Sequence, residues 1–338
     1  FVVDEHGKKM SKSVGNVVAP ESVINQYGAD VLRLWAASAD YKGDISISNN
    51  IIKQLSDAYR RIRNTCRFML GNFSDFDLAT DLRSLKDMSG LDRFILHRLH
   101  HVVNRALISY EKYEFHTIYH TLHNFCVVDL SSFYLDIIKD RLYTSPADDP
   151  LRRDAQTVMF IILDAIVKIM APILPFTSDE IYQHMPKDSG HKESIHLDSM
   201  VELDKEWEDK ELADVWENIR SLRGEVTKAL EEARINKLIG HPLDAALEIK
   251  LPDTILKEHV ENLKENLNDI FIVSSVVIVD TIDDRAYKAN EIEGLSIKVN
   301  KAAGKKCDRC WRFDDSIGMD VVHPTACSRC VTALKKIM

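Results

Sequence analysis

The stretch SNNIIKQLSDAYRRIRNTCRFML, residues 48–70, sets Ile51, Leu55, Tyr59, Ile62, Cys66 and Met69 three or four positions apart. That interval matches the α-helical turn and predicts one apolar stripe facing a core. Lys53, Arg60, Arg63, Asn64 and Arg67 fall mostly on the other side. Residues 91–113, 115–143 and 152–172 repeat the same spacing, and TSDEIYQHM (177–185) opens with Thr177 and Glu180 in a capping-box pattern. The connections are short enough for antiparallel neighbours, so the expectation is a mainly α protein whose body is a helical bundle.

Before the bundle, APESVINQYGADVLRLWAAS (19–38) reads as two short helices separated by a glycine stop at Gly28. After it, PKDSGHKESIHLDSM (186–200) is a polar linker, and VWENIRSLRGEVTKALEEARINKLIG (215–240) is a charged helix ending at Gly240. LDAALEIKL (243–251), IFIVSSVVIVD (270–280) and LSIKVNKA (295–302) are strand-like, with a helix expected over 254–267. This part predicts a small α+β unit.

The 338 residues are 45% hydrophobic, enough for more than one core. The longest apolar run, residues 158–176, is broken by Asp164 and Lys168 and reads as a buried helix followed by a turn. No targeting segment or membrane span is expected, and the start FVVDEHGKK reads as the middle of a longer protein. Net charge is −9, yet residues 301–338 hold eight Lys or Arg against four Asp, leaving −13 on the remainder. An acidic body with a basic tail suits an anionic partner touched at selected places.

That tail carries Cys307, Cys310, Cys327 and Cys330, two C-x-x-C knuckles sixteen residues apart. The spacing is that of a four-cysteine zinc site, and it leaves no open coordination position for catalysis. Disulfides and a redox pair fit the context less well, and an iron–sulfur centre ranks below zinc. Lys305, Lys306, Arg309, Arg312 and Arg329 have two open readings: they offset the −2 of a tetrathiolate centre, or they also reach a phosphate backbone. Trp311 is either a base-stacking platform or the ribbon's core residue. Cys66 and Cys126 read as buried apolar residues, and the histidines of 97–101 and 116–123 as packed or solvated.

KKMSKSVGN, residues 8–16, places three lysines and two serines between Gly7 and Gly15. Followed by GADVLRLWAASADY, it resembles the signature loop and adjacent helix of the class I aminoacyl-tRNA synthetases. YRRIRNTCRFMLGN, FYLDIIKDRLY and MAPILPFTSDEIY resemble the anticodon-binding helical domain of the isoleucine branch of that family. CDRCW and CSRC resemble the zinc ribbon of its bacterial type. The resemblance runs from Phe1 to Cys330.

It implies that Lys12, and to a lesser degree Lys9, bind the ATP phosphates, with magnesium, while isoleucine attacks the α-phosphorus. Ser11 and Ser13 shape the loop, and Gly7 and Gly15 hinge it. It further implies that tRNA(Ile) is the partner, contacted at Arg60, Arg63, Arg67, Arg309, Trp311 and Arg312. A solvated face or bridges to carboxylates explain the α-helical arginines nearly as well. The implied divisions are 1–48 (end of a Rossmann-type catalytic domain), 49–186 (anticodon-binding bundle), 187–300 (α+β junction) and 301–338 (zinc ribbon). The H-x-G-H signature, its nucleotide-binding sheet and the editing domain are missing, so the chain reads as the C-terminal portion of a monomeric, cytoplasmic ligase, inactive alone. Ligases for valine, leucine or methionine, a stand-alone RNA-binding module and a zinc-ribbon interaction domain are the alternatives.

Overall fold

The computed structural model describes residues 1–263 and 266–337. They form two compact units: Phe1–Arg83, Ile95–Asp136 and Gln156–Glu208 make the first; Ser84–Phe94, Ile137–Ala155 and Asp209–Met338 make the second.

In the first unit, β1 (Val2–Val3) pairs in parallel with β2 (Ile45–Ser46). Between them, α1 (Pro20–Tyr27) starts on a proline, the residue whose missing N–H costs nothing in a first turn. Gly28, at φ +90°, turns the chain into α2 (Ala29–Ser38). The long helix α3 (Asn49–Leu70) is capped by Ser48, whose hydroxyl accepts the Ile51 N–H, and buries Leu55, Ile62, Cys66 and Met69 as the spacing predicts. Ile52 and Ala58 complete the buried stripe, whereas Ile51 and Tyr59 lie at its half-exposed margins.

The helices α4 (Gly90–Glu111), α5 (Phe115–Asn124), α6 (Leu135–Thr144) and α7 (Pro150–Met170) follow, each built on the expected apolar repeat. Between α5 and α6 the backbone widens to a π-helix over Phe125–Tyr134, which buries Phe125, Cys126, Leu130, Phe133 and Tyr134. The partition into units falls within α4, α6 and α7.

The last helix of the first unit, α8 (Pro175–Gln183), begins two residues before the expected capping box. Pro175 opens it, and Thr177 is already inside. The Asp30 carboxylate of α2 accepts both the N–H and the hydroxyl of Thr177, at 2.8 and 2.5 Å. A side chain from a distant helix therefore does the work that sequence proximity assigned to Glu180.

In the second unit, α9 (Lys210–Ile235) buries Trp216, Ile219, Leu222, Val226 and Ala229. It stops at Ile235 rather than Gly240: Lys237 enters the left-handed region at φ +58°, and Leu238 N–H closes back on Ala233. The sheet order is β4-β3-β6-β5. The central β3 (Ala245–Lys250) runs parallel to β4 (Ser275–Ile278) and antiparallel to β6 (Ser296–Lys301), and β5 (Tyr287–Lys288) edges β6. Ala245, Leu247 and Ile249 alternate into the core, as a half-buried strand requires.

The expected helix over 254–267 is α10 (Ile255–Glu261); Lys264 and Glu265 lie outside the described residues. The strand expected over 270–280 is half wrong. Its first two residues close α11 (Leu267–Phe271), Ile272 reverses the chain at φ +57°, and only β4 is extended. The tail forms the two-stranded ribbon β7 (Lys305–Lys306) with β8 (Phe313–Asp314), then α12 (Ser328–Ile337).

Candidate phosphate loop and metal centre

In the first unit, the lysine loop is tied at its base by one carboxylate. Asp4 Oδ1 accepts the N–H groups of His6 and Lys8, at 3.0 and 2.8 Å, and Oδ2 accepts Asn16 Nδ2 at 2.9 Å. Asn16 in turn accepts the Ser11 N–H at 2.9 Å. Fed first by Asn16 and then by the Lys8 amide, the Asp4 carboxyl titrates below its ordinary value.

The loop itself is shaped by two glycines and two serines. Gly7 and Gly15 sit at φ +74° and +77°, a region that side chains resist. The Ser11 and Ser13 hydroxyls are 3.1 Å apart, and Ser11 also accepts the Val14 N–H. Met10 packs on the cluster of Val23, Val31, Ile47 and Ile52, which anchors one side of the loop. Lys8, Lys9 and Lys12 are exposed, and no carboxylate pairs with any of them among the described residues.

In the second unit, Cys307, Cys310, Cys327 and Cys330 are buried, with all four sulfurs within 4.8 Å of one another. Four sulfurs at about 2.3 Å from a tetrahedral zinc ion stand about 3.8 Å apart, so the set fits one ion with small adjustments. The knuckles are built by the backbone. Cys307 N–H bonds to Arg312 O at 2.8 Å, Trp311 N–H to Cys307 O at 2.9 Å, and Cys327 N–H to the Cys307 sulfur at 3.3 Å. At Gly304, a Cβ would meet Asp314 backbone at 2.7 Å, so no other residue fits there.

The other sequence-derived candidates divide between the two units. Arg60, Arg63 and Arg67 line the outer side of α3; Arg60 pairs with Asp57 and Arg63 with Glu180, both at 3.3 Å. Trp311, at φ +65°, is 56% exposed, with Lys306 Nζ 5.5 Å from its ring centre. It is not a core residue of the ribbon; the four cysteines, Ala326 and Val331 form that core.

The ribbon arginines turn toward oxygens of their own unit. Arg309 donates to the Thr144 carbonyl, Arg312 pairs with Asp269 and lies 3.7 Å from Asp140, and Arg329 grips Asp140 with both terminal nitrogens. Burial pushes the Asp140 carboxyl up, but the Arg329 hydrogen bond and the two guanidinium charges leave it below the ordinary range. Asp4, Asn16 and Asp140 were not found from the sequence. For Asp140 no local signal exists, because its partner is Arg329.

Cys66 and Cys126 are fully buried free thiols, and burial pushes Cys66 up to about 12. His97 and His101 face each other at 3.1 Å, and His100 bonds to Asp204 O. Burial is the first cause that lowers His97.

Comparison with known proteins assigns the loop, the helices and the ribbon separately. Residues 1–48 match the tRNA synthetases of class I (I, L, M and V), 92–250 the anticodon-binding domain of tRNA ligase, and 304–333 the zinc finger found in FPG and IleRS. The isoleucine–tRNA ligase of Geobacter sulfurreducens is 48% identical over 335 residues, 99% of this chain. Over nearly its whole length the chain is similar to isoleucine–tRNA ligases. The corresponding ligases of Syntrophotalea carbinolica and Desulforamulus reducens are 49% and 46% identical, each over 99% of the chain. The chain spans 36% of the length of each of these three relatives. Among solved structures, an Agrobacterium radiobacter LeuRS-tRNA-LeuAMS complex aligns with 62% of this chain and 24% of its own, at 18% identity and a TM-score of 0.46.

Proposed function

We propose that this chain supplies two parts of an isoleucine–tRNA ligase: the lysine loop that grips ATP phosphates, and the surfaces that hold tRNA(Ile). One observation carries the reading. Lys9 and Lys12 stand exposed, with no carboxylate paired to either among the described residues, on a loop whose base is tied by Asp4 and Asn16, within the span that matches class I synthetases.

In the first step the isoleucine carboxylate oxygen attacks the α-phosphorus, the bond to the bridging oxygen breaks, and pyrophosphate leaves. Negative charge grows on the leaving oxygens, and ammonium groups on a tied but hinged loop stabilise it more in the transition state than in the ground state. Ser11 and Ser13 hold the loop's turn. In the second step a ribose hydroxyl of the tRNA's terminal adenosine attacks the isoleucyl carbonyl and AMP leaves; the side-chain pocket for isoleucine is not assigned to these residues.

The four cysteines hold zinc as a structural ion, which closes the ribbon and leaves no coordination position for substrate. Trp311 is the ribbon's candidate for stacking on an unpaired base: a bulky residue in the left-handed region costs about 1 kcal/mol or more, and its ring is exposed. Arg60, Arg63 and Arg67 offer phosphate contacts along α3. Contacts by Arg309 and Arg312 would have to be shared with Thr144, Asp140 and Asp269. The functional divisions 1–48, 49–186, 187–300 and 301–338 go with this reading, as does a monomeric enzyme of the cytoplasm. No helix among the described residues is long and apolar enough to cross a membrane.

The test is Lys12→Ala in the full-length ligase. Isoleucine-dependent ATP–pyrophosphate exchange should slow about a hundredfold or more, the range for removing one preorganised charge donor. A change confined to isoleucine affinity would contradict the role.

A further inference from the structure

Helix α4 carries His97, His100 and His101 in the first unit, and the structure puts them to different uses. His100 is committed: its Nδ1 donates to the Asp204 carbonyl at 2.9 Å, which ties α4 to the segment that follows α8. His97 and His101 stand one helical turn apart on one face, as an i, i+4 pair must. Their Nε2 atoms are 3.1 Å apart. The ring planes cross at 79° with centres at 4.6 Å, closer than a head-on N–H···N pair would bring them, so the two ring axes are inclined to each other. His97 is buried and His101 exposed, which leaves the pair open to solvent on the His101 side.

We propose that His97 and His101 form a bidentate site for an exchangeable divalent transition-metal ion of the zinc type, bound through both Nε2 atoms. The distance carries it. Nitrogens held about 2.0–2.1 Å from a tetrahedral zinc stand about 3.3 Å from each other, so the observed gap is a chelate bite that needs little movement. Without metal, the same gap holds one proton: one ring donates its Nε2–H and the other accepts, so their tautomers differ. Binding moves that proton to Nδ1 of its own ring, and both imidazoles then ligate in the neutral form with no proton released. Imidazole donors select zinc, nickel or copper over magnesium and calcium. Among the described residues, the four cysteines are the only group of three or more metal-ligating side chains gathered closely enough to share an ion. Water therefore completes the histidine site, and its ion exchanges where an ion held by four thiolates would not. The bridge also closes one turn of α4. The inference depends neither on the ligase reading nor on zinc in the ribbon.

The experiment is equilibrium dialysis of the full-length ligase against zinc, with the zinc that Cys307→Ser removes counted separately. His101→Ala deletes an exposed ring and should cost one exchangeable equivalent. His97→Gln, which keeps the buried position filled, should cost the same equivalent and no further one. Nickel should compete for the site, whereas excess magnesium should not displace the ion. Hydrogen exchange locates it: added zinc should slow amide exchange over residues 97–105 in the parent and change nothing there in His101→Ala. Zinc bound equally by the parent and both variants would overturn the proposal. So would an equivalent lost without any zinc-dependent protection in α4, because the ion would then sit elsewhere.

Discussion

Two clusters of positive charge in this chain look alike in sequence and are used in opposite ways. The loop at 8–12 holds three lysines that reach solvent, and the carboxylate at its base, Asp4, is occupied with backbone amides and Asn16. The ribbon holds arginines at 309, 312 and 329 that are engaged with Thr144, Asp140 and Asp269. Lysine suits the first task because a mobile ammonium can follow a ligand. Arginine suits the second because a rigid fork can satisfy two acceptors at once. Local charge count therefore separates neither function from scaffold nor binding from docking; the partner oxygens do.

The strongest way to break this comparison is to remove the metal from the ribbon. Cys307→Ser should abolish one zinc equivalent and strip amide-exchange protection from residues 304–333, since binding a structural zinc is worth about 10–16 kcal/mol in small ribbons. Metal analysis and hydrogen exchange check this. Protection retained without metal would mean that the arginine contacts alone fold the ribbon, and would make the contrast with the lysine loop sharper still.

Charge deletion in each cluster gives the next largest effect. Arg312 is largely buried between Asp269 and Asp140, and Arg312→Ala leaves Asp269 without its guanidinium partner and Asp140 with Arg329 alone. A loss of about 2 kcal/mol is expected, below the 3–5 of a fully buried pair because both carboxylates keep some water. Lys12→Ala removes no partner and should stay within about 0.5 kcal/mol. Urea unfolding of the two variants decides it; equal losses would mean the loop lysines are as structural as the ribbon arginines.

The same contrast marks what could be read from the sequence. The helices were legible because the stripe of Leu55, Ile62, Cys66 and Met69 is a local periodic signal. The metal set was legible for a similar reason, as two cysteines three apart constrain each other directly. Contacts between distant residues left no such trace. Arg329 and Asp140 are separated by 189 positions and Thr177 and Asp30 by 147, and neither pair is announced by its neighbours. The misread strand at 270–280 failed for another reason: Ile270 and Phe271 are apolar because they are buried on α11, and an apolar run alone does not separate a strand from a helix end.

The smallest effect concerns acid, and it tests the two carboxylates that serve the two clusters. Asp140 is held below its ordinary value of 3.8, burial opposing and Arg329 and Arg312 prevailing. A carboxyl whose folded value is depressed contributes stability that is fully present above its unfolded value and is lost as pH falls through the folded one. Asp140→Asn should therefore destabilise the protein at about pH 6, where the native carboxylate is charged, and the gap to the parent should close as pH drops below 3.8. Asp4 is also depressed, but first by the neutral amide of Asn16 and by backbone N–H groups. Raising the salt concentration weakens interactions between charges more than it weakens hydrogen bonds to neutral donors. In carboxyl titrations followed by NMR, Asp140 should then drift upward with salt while Asp4 holds. A drift of the same size at both residues would show that the loop carboxylate is governed by its lysines after all, and the division between free and engaged charge would fail at its smallest scale.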